Sequence, residues 1–291
     1  MIPVDFDYVT PATVGEAITA LTTNQAHILA GGQTLIPGLK TRAVRPELLV
    51  DIRSLPGLDR IEIIETAVTI GALVRQRQIE DSEQLARILP ILREAARVVA
   101  DPAVRSQGTL VGAMAAADPG GDWLAVALAM NGSVRATGPG GERSIAVEDL
   151  ISGPYRTSLS PNEMITHLDL KTPEHPCGMA YLKLRHPATG FALVGVAAVV
   201  PLDKSGRCAG GRVAVTGAGP KAARMRTTEE HLQGRAPNPA DIAVAALNAT
   251  KGMTLWSDIH ASEAYRAELV KVYVRRALEL AGSRAEAAAE A

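Results

Sequence analysis

Two short stretches hold the residue types and spacings that could do chemistry. Ala30-Gly31-Gly32-Gln33-Thr34 sets two adjacent glycines ahead of a polar pair, and Gly108-Thr109-Leu110-Val111-Gly112-Ala113 returns to small and polar residues further along the chain. A turn built on glycine lets successive backbone N–H groups converge on one cluster of oxygens, and so holds phosphate without side-chain charge. Neither stretch is G-x-G-x-x-G or a Walker loop, and a glycine pair alone also suits an ordinary tight turn. Asp118 and Asp122 follow the second stretch. A carboxylate only accepts hydrogen bonds, so it pairs with a ribose or ribityl hydroxyl and not with phosphate; the alternative at either position is a turn or helix cap. Two such turns could grip an extended dinucleotide.

Little else in the chain suggests a site. Six histidines are scattered without ligand spacing, and the two cysteines, Cys177 and Cys208, form no C-x-x-C, so no metal site or iron–sulfur cluster is expected in this chain. Lys183 lies on an apparent half-buried strand, where a snorkelling or ion-paired lysine is the ordinary reading. The net charge of -1 and an aromatic content of 3% argue against nucleic acid and anionic membranes as partners. The longest apolar run, Phe191 to Leu202, falls well short of the roughly 20 residues a bilayer requires. With an acidic N-terminal stretch and unpaired thiols, the chain reads as cytoplasmic, with no membrane span.

Positioning the two turns requires elements on either side of each. Thr13-Val14-Gly15-Glu16 matches a capping box, with Ala17, Ile18 and Leu21 at helical spacing, which predicts a helix over 14–23. His27-Ile28-Leu29-Ala30 reads as a strand feeding the double glycine, and 48–52 and 67–72 as further strands. Residues 84–99 place Leu85, Ile88, Leu92, Ala95, Ala96 and Val99 on one helical face, closed by Asp101-Pro102. The stretch 105–123, poor in large apolar groups, is expected to lie outside the core. A helix over 123–130 and strands near 134–136, 144–147 and 164–170 follow. Pro173 and Pro176 mark a domain boundary. Beyond it, strands at 180–184, 191–200 and 211–217 and helices at 241–250 and 265–281 predict a small antiparallel sheet covered on one face by helices. The alanine- and glutamate-rich end after Gly282 is expected to fray.

The ordered series FDYVTPATVGEA, LLVDI, ADPAVRSQGTLVGAMAAADPGGD, YLKLRHPATGFALVGVAAVV and TGAGPKAARM resembles the medium, FAD-binding subunit of molybdenum hydroxylases, the carbon monoxide dehydrogenase and xanthine dehydrogenase family. The resemblance implies an α+β fold. A two-lobed FAD-binding domain of the p-cresol methylhydroxylase/vanillyl-alcohol oxidase type would occupy 1–175, with lobes of about 1–57 and 58–175. A CO dehydrogenase flavoprotein-type domain would occupy 176–284, ahead of a tail at 285–291. It further implies that Leu29, Ala30, Gly31, Gly32, Gln33, Thr34, Leu35 and Ile36, with Gly108, Thr109, Gly112 and Ala113, serve the FAD diphosphate. Asp122 would hold FAD hydroxyls, Ile165 would make a backbone contact, and Lys183 and Phe191 would lie near the flavin ring.

The chain departs from the family pattern at Val111, where a glycine is usual, at Ala113, where Asn or Asp is usual, and at Gly190, where relatives often have Asp. If position 111 needs φ > 0, valine obstructs it, so weaker FAD binding or an altered loop is expected. By resemblance, a large molybdopterin-binding subunit oxidises the substrate at molybdenum, and a small subunit with [2Fe–2S] clusters relays electrons. This chain's FAD passes them to an external acceptor, within a dimer of heterotrimers. Two other readings stay open: a self-contained flavin oxidoreductase of the same fold, and a structural subunit that has lost its flavin.

Overall fold

A parallel three-stranded sheet carries the first glycine turn. In the computed structural model, which describes every residue except Met1, His175 and Ala291, β1 (Asp7–Val9) and β2 (Ala26–Leu29) flank β3 (Leu48–Asp51). All four residues of β3 are buried, as expected of a central parallel strand. Helix α1 (Val14–Ala20) joins β1 to β2, and the Thr13 hydroxyl caps it by accepting the Glu16 N–H at 3.1 Å. The turn leaves β2 and runs into α2 (Leu35–Thr41), which ends at Arg42 in the left-handed region, φ 59°.

The second lobe is a five-stranded antiparallel sheet of β4 (Ile61–Ile64), β5 (Ala67–Gly71), β6 (Ser133–Gly138), β7 (Gly141–Ala146) and β10 (Met164–Lys171), in the order β4-β5-β10-β6-β7. Between β7 and β10 run α9 (Val147–Leu150) and a hairpin of β8 (Ile151–Gly153) and β9 (Arg156–Thr157). Six helices separate β5 from β6: α3 (Gln76–Asp81), α4 (Glu83–Ile88), α5 (Pro90–Val98), α6 (Pro102–Gln107), α7 (Leu110–Ala116) and α8 (Asp122–Ala129). The single helix expected over 84–99 is therefore two. Pro90 has no N–H to continue the ladder and becomes the first residue of α5, with Leu89 non-helical before it at φ -132°, ψ 69°. The stretch expected outside the core is inside it: Leu110, Val111 and Met114 of α7 are buried, because its small residues let the helix sit close against its neighbours.

The C-terminal sheet is an antiparallel meander of β11 (Cys177–Arg185), β12 (Ala192–Pro201), β13 (Arg212–Thr216) and β14 (Ala223–Arg224), followed by α10 (Arg226–Leu232), α11 (Pro239–Leu247) and α12 (Glu263–Glu290). Both of its faces are covered, not one. Along β12, Val194, Val196, Ala198 and Val200 enter a core with α11 and α12. The alternating Ala197 and Val199 instead join the core of the first two lobes, where α8 packs. The end expected to fray continues α12: Ala285 is fully buried and Arg284 pairs with Glu94 of α5 at 2.7 Å. Helix and strand pack so closely that a Cβ on Gly178 would lie 1.7 Å from the Ala281 carbonyl oxygen. Among the described residues, no helix is long and apolar enough to cross a membrane.

Candidate cofactor site

The two glycine turns come from different lobes and touch. A Cβ on Gly31 would stand 2.4 Å from the Gln107 carbonyl oxygen and 2.9 Å from the Thr109 nitrogen. What approaches Gly31 too closely for a side chain is therefore the backbone of the second turn. Gly32 holds φ 71°, a conformation open to glycine, and reverses the chain into α2. The second turn is tied to its own lobe, with the Gln76 N–H donating to the Gly108 carbonyl at 2.9 Å and the Leu110 N–H to the Val74 carbonyl at 3.3 Å. Thr109 caps α7, its hydroxyl accepting the Gly112 N–H at 3.0 Å.

This divides the work between the turns. The Gly112 and Ala113 amides already donate to Thr109, Ala113 at 3.1 Å to its carbonyl. In contrast, the N–H groups of Gly31, Gly32, Gln33, Thr34 and Leu35 have no partner among the described residues. Consecutive free amides of this kind form a neutral concavity suited to an anion.

A cavity of about 320 Å³ opens at this seam. Ala30 through Leu35 line it from the first turn, Gly108, Thr109, Gly112 and Ala113 from the second, and Ile165 from β10. Leu29 and Ile36 lie outside the lining: Leu29 is buried, and the Ile36 side chain covers Gly32. Val111, expected to obstruct the site, lines the same cavity. It sits within α7 and only 3% exposed, and position 111 is not among the residues of positive φ, so no glycine is needed there. Gln76, at the start of α3, was not singled out in the sequence, yet it lines the cavity while only 4% exposed, and its Oε1 is buried with no hydrogen-bond partner. Flanked by two arginines, it carried no signal of its own.

Asp122, Lys183 and Phe191 stand apart from this lining. Asp122 opens α8 and both its oxygens are engaged, Oδ1 accepting the Tyr181 hydroxyl at 2.5 Å and Oδ2 accepting the Lys183 Nζ at 2.9 Å. Lys183 also donates to the Val98 carbonyl at 3.1 Å. Burial pushes the Asp122 carboxyl up and Lys183 opposes that; burial beside the same carboxylate drives the Tyr181 phenol well above its usual range. Phe191 is exposed just before β12, against Gly120. Asp118 accepts the Gly120 N–H at 2.8 Å, and burial raises its carboxyl.

A run of unpartnered amides, a left-handed glycine and small apolar walls fit a nucleotide joined through a diphosphate, and with the two lobes and trailing sheet they define an FAD-binding flavoprotein. Residues 4–171 match the family described as FAD binding domain in molybdopterin dehydrogenase, and 179–281 match the CO dehydrogenase flavoprotein C-terminal domain, so the chain belongs to the family of FAD-binding subunits of molybdopterin dehydrogenases, which are oxidoreductases. It is 36% identical to the carbon monoxide dehydrogenase medium chain of Afipia carboxidovorans, over 98% of this chain and 100% of that one. It is also 36% identical to the nicotine 6-hydroxylase medium subunit of Paenarthrobacter nicotinovorans, over 95% and 97%. The solved carbon monoxide dehydrogenase from Hydrogenophaga pseudoflava superposes with a TM-score of 0.93 at 33% identity, covering 98% of this chain and 99% of that one.

Proposed function

We propose that this chain holds FAD along the seam between the two turns and is the flavoprotein subunit of a multi-subunit molybdenum hydroxylase. Its partners in this reading are a large molybdopterin-binding subunit and a small [2Fe–2S] subunit, assembled as a dimer of heterotrimers in the cytoplasm. The observation that carries the reading is that the residues whose backbone amides lack partners, Gly31 to Leu35, all line the cavity. The naming of relatives as medium chains of larger enzymes supports the partners.

The FAD, when bound, supplies a redox centre that takes electrons from the partner's clusters and passes them to an external acceptor. The chain's own residues position and shield it. The amides of Gly31 to Leu35 donate to the diphosphate, while Gly108, Thr109, Gly112 and Ala113 form the opposite wall, shaped by the Thr109 cap. Leu29 and Ile36 brace the first turn from outside. Ile165 is assigned a backbone contact from the cavity wall, and Lys183 and Phe191 are assigned to the flavin end, where Asp122 acts through Lys183 by holding its ammonium in place.

Purified chain titrated with FAD is expected to turn yellow and retain the flavin through gel filtration, and a tagged copy in its native host should bring down a molybdenum and an iron–sulfur protein. Colourless protein that takes up no added FAD sinks the flavin assignment. Flavin uptake with no such partners sinks the assembly and favours the self-contained oxidoreductase.

A further inference from the structure

We propose that the cleft between the end of α8 and the corner of β13, β14 and α10 binds a small oxyanion, a carboxylate or phosphate held by Arg212. The cleft measures about 510 Å³, and its wall includes Asn131 just past α8, Arg212 of β13, Arg224 of β14, and Glu229, Glu230 and Gln233 from α10 and its end. It shares no lining residue with the seam of the two glycine turns, so it is independent of the FAD reading. Arg212 is half-buried and anchored from one side, its Nε donating to the carbonyl of Ala129, the last residue of α8, at 2.6 Å. Its two terminal nitrogens donate to nothing among the described residues, yet they are not shielded from solvent. They are the accessible polar atoms of a residue that lines the cleft.

Arg212 forms no ion pair among the described residues. Glu229 in the same wall is already engaged: Oε1 accepts the Val213 N–H and the Arg224 Nε, each at 2.9 Å, and Oε2 accepts the Arg224 Nη2 at 2.7 Å. Burial, and Arg224 beside it, hold the Arg212 guanidinium below the usual arginine value, although the group stays charged. A cation drawn out of water without a counter-charge costs stability, and pairing with an anion relieves it. Bonding the Ala129 carbonyl alone needs no charge, and a glutamine would do it. The free edge of the guanidinium offers two parallel N–H groups, the geometry that takes a carboxylate or phosphate through two oxygens. Gln233 adds a donor: its Oε1 accepts the Gly210 N–H at 2.8 Å, which leaves its NH₂ as the free end. Glu230, the other acid of the wall, is exposed and repels a highly charged ligand, so the site suits an anion of low charge.

The test is calorimetric titration of the full chain with sodium acetate and, separately, inorganic phosphate, at an ionic strength held constant with sodium chloride, for wild type, Arg212→Gln and Arg212→Lys. Wild type should bind at least one of the anions saturably, and whichever it prefers assigns the ligand as carboxylate or phosphate. Arg212→Gln keeps a donor for Ala129 and should bind about tenfold or more weakly. Arg212→Lys keeps the charge without the fork and should also lose affinity. Uptake of FAD should be unchanged in both variants. No saturable binding of either anion by wild type overturns the proposal, as does wild-type affinity in a folded Arg212→Gln. Loss of FAD uptake together with anion binding marks a structural role for Arg212 and overturns it too. Should Arg212→Gln fail to fold, the affinity of Arg212→Lys decides.

Discussion

Lys183 and Asp122 face each other at 2.9 Å with side chains 1% and 5% exposed, so neither charge can turn to water for its counter-ion. Removing one partner strands the other, which typically costs about 3–5 kcal/mol, far more than an exposed pair is worth. Lys183→Met should therefore lower stability by about that amount at neutral pH. The pH dependence follows from the carboxyl. Burial raises the Asp122 carboxyl in the folded chain, and losing Lys183 removes the main opposing influence. The folded state then binds its proton more tightly than the unfolded state, whose carboxyl titrates near 3.9, so stability falls as pH rises above about 4 and recovers on acidification. Urea melts of Lys183→Met and wild type between pH 5 and roughly 8 check this. A variant penalty that does not change with pH would exclude the carboxyl as its cause.

Among the elements, α7 shows most clearly what the sequence could and could not convey. Comparison with the family pattern marks Val111 as a misplaced residue, because a motif does not state whether its position is turn or helix. The Thr109 cap starts the helix one residue before Val111's neighbour Leu110, and a helical valine with its side chain in the core is ordinary. Val111→Gly is thus expected to destabilise the protein by about 2–4 kcal/mol, from lost apolar burial and poor helix propensity, without tightening FAD. Paired chemical melts and FAD titrations read both quantities. Pro90 was legible in principle, as a residue that cannot sit inside a helix, but the apolar spacing across 84–99 is continuous and masks the break. Gly31 was legible as a point of close approach. That the approaching group is Gln107–Thr109 was not, because the contact joins two lobes far apart in sequence. Asp122 was singled out in the sequence as a carboxylate for FAD hydroxyls, but the contacts it makes in the fold were not legible, because Tyr181 and Lys183 come from a strand some sixty positions on, with separations of 59 and 61.

At the scale of the whole molecule, the C-terminal sheet serves as a floor for the first two lobes as well as a domain of its own. One face of β12 belongs to each core, and α12 reaches back so that Arg284 pairs with Glu94 and donates to the Met179 carbonyl. Deleting 283–291 removes the buried Ala285 and this link between α12 and α5. It is expected to lower the melting temperature by several degrees, consistent with a loss of about 1–3 kcal/mol in a chain of this size. Differential scanning calorimetry of the truncated and full chains measures it, and an unchanged melt would show that the last turns of α12 contribute nothing.

The backbone contact at Gly31 also constrains how this protein can change over time. Because position 31 and the Gln107–Thr109 segment occupy adjoining space with no slack, drift at one is tolerated only with drift at the other. Suppressors of Gly31→Ala selected in a flavin-dependent host should accordingly map to the second turn, making the seam a pair of inherited positions rather than two independent motifs.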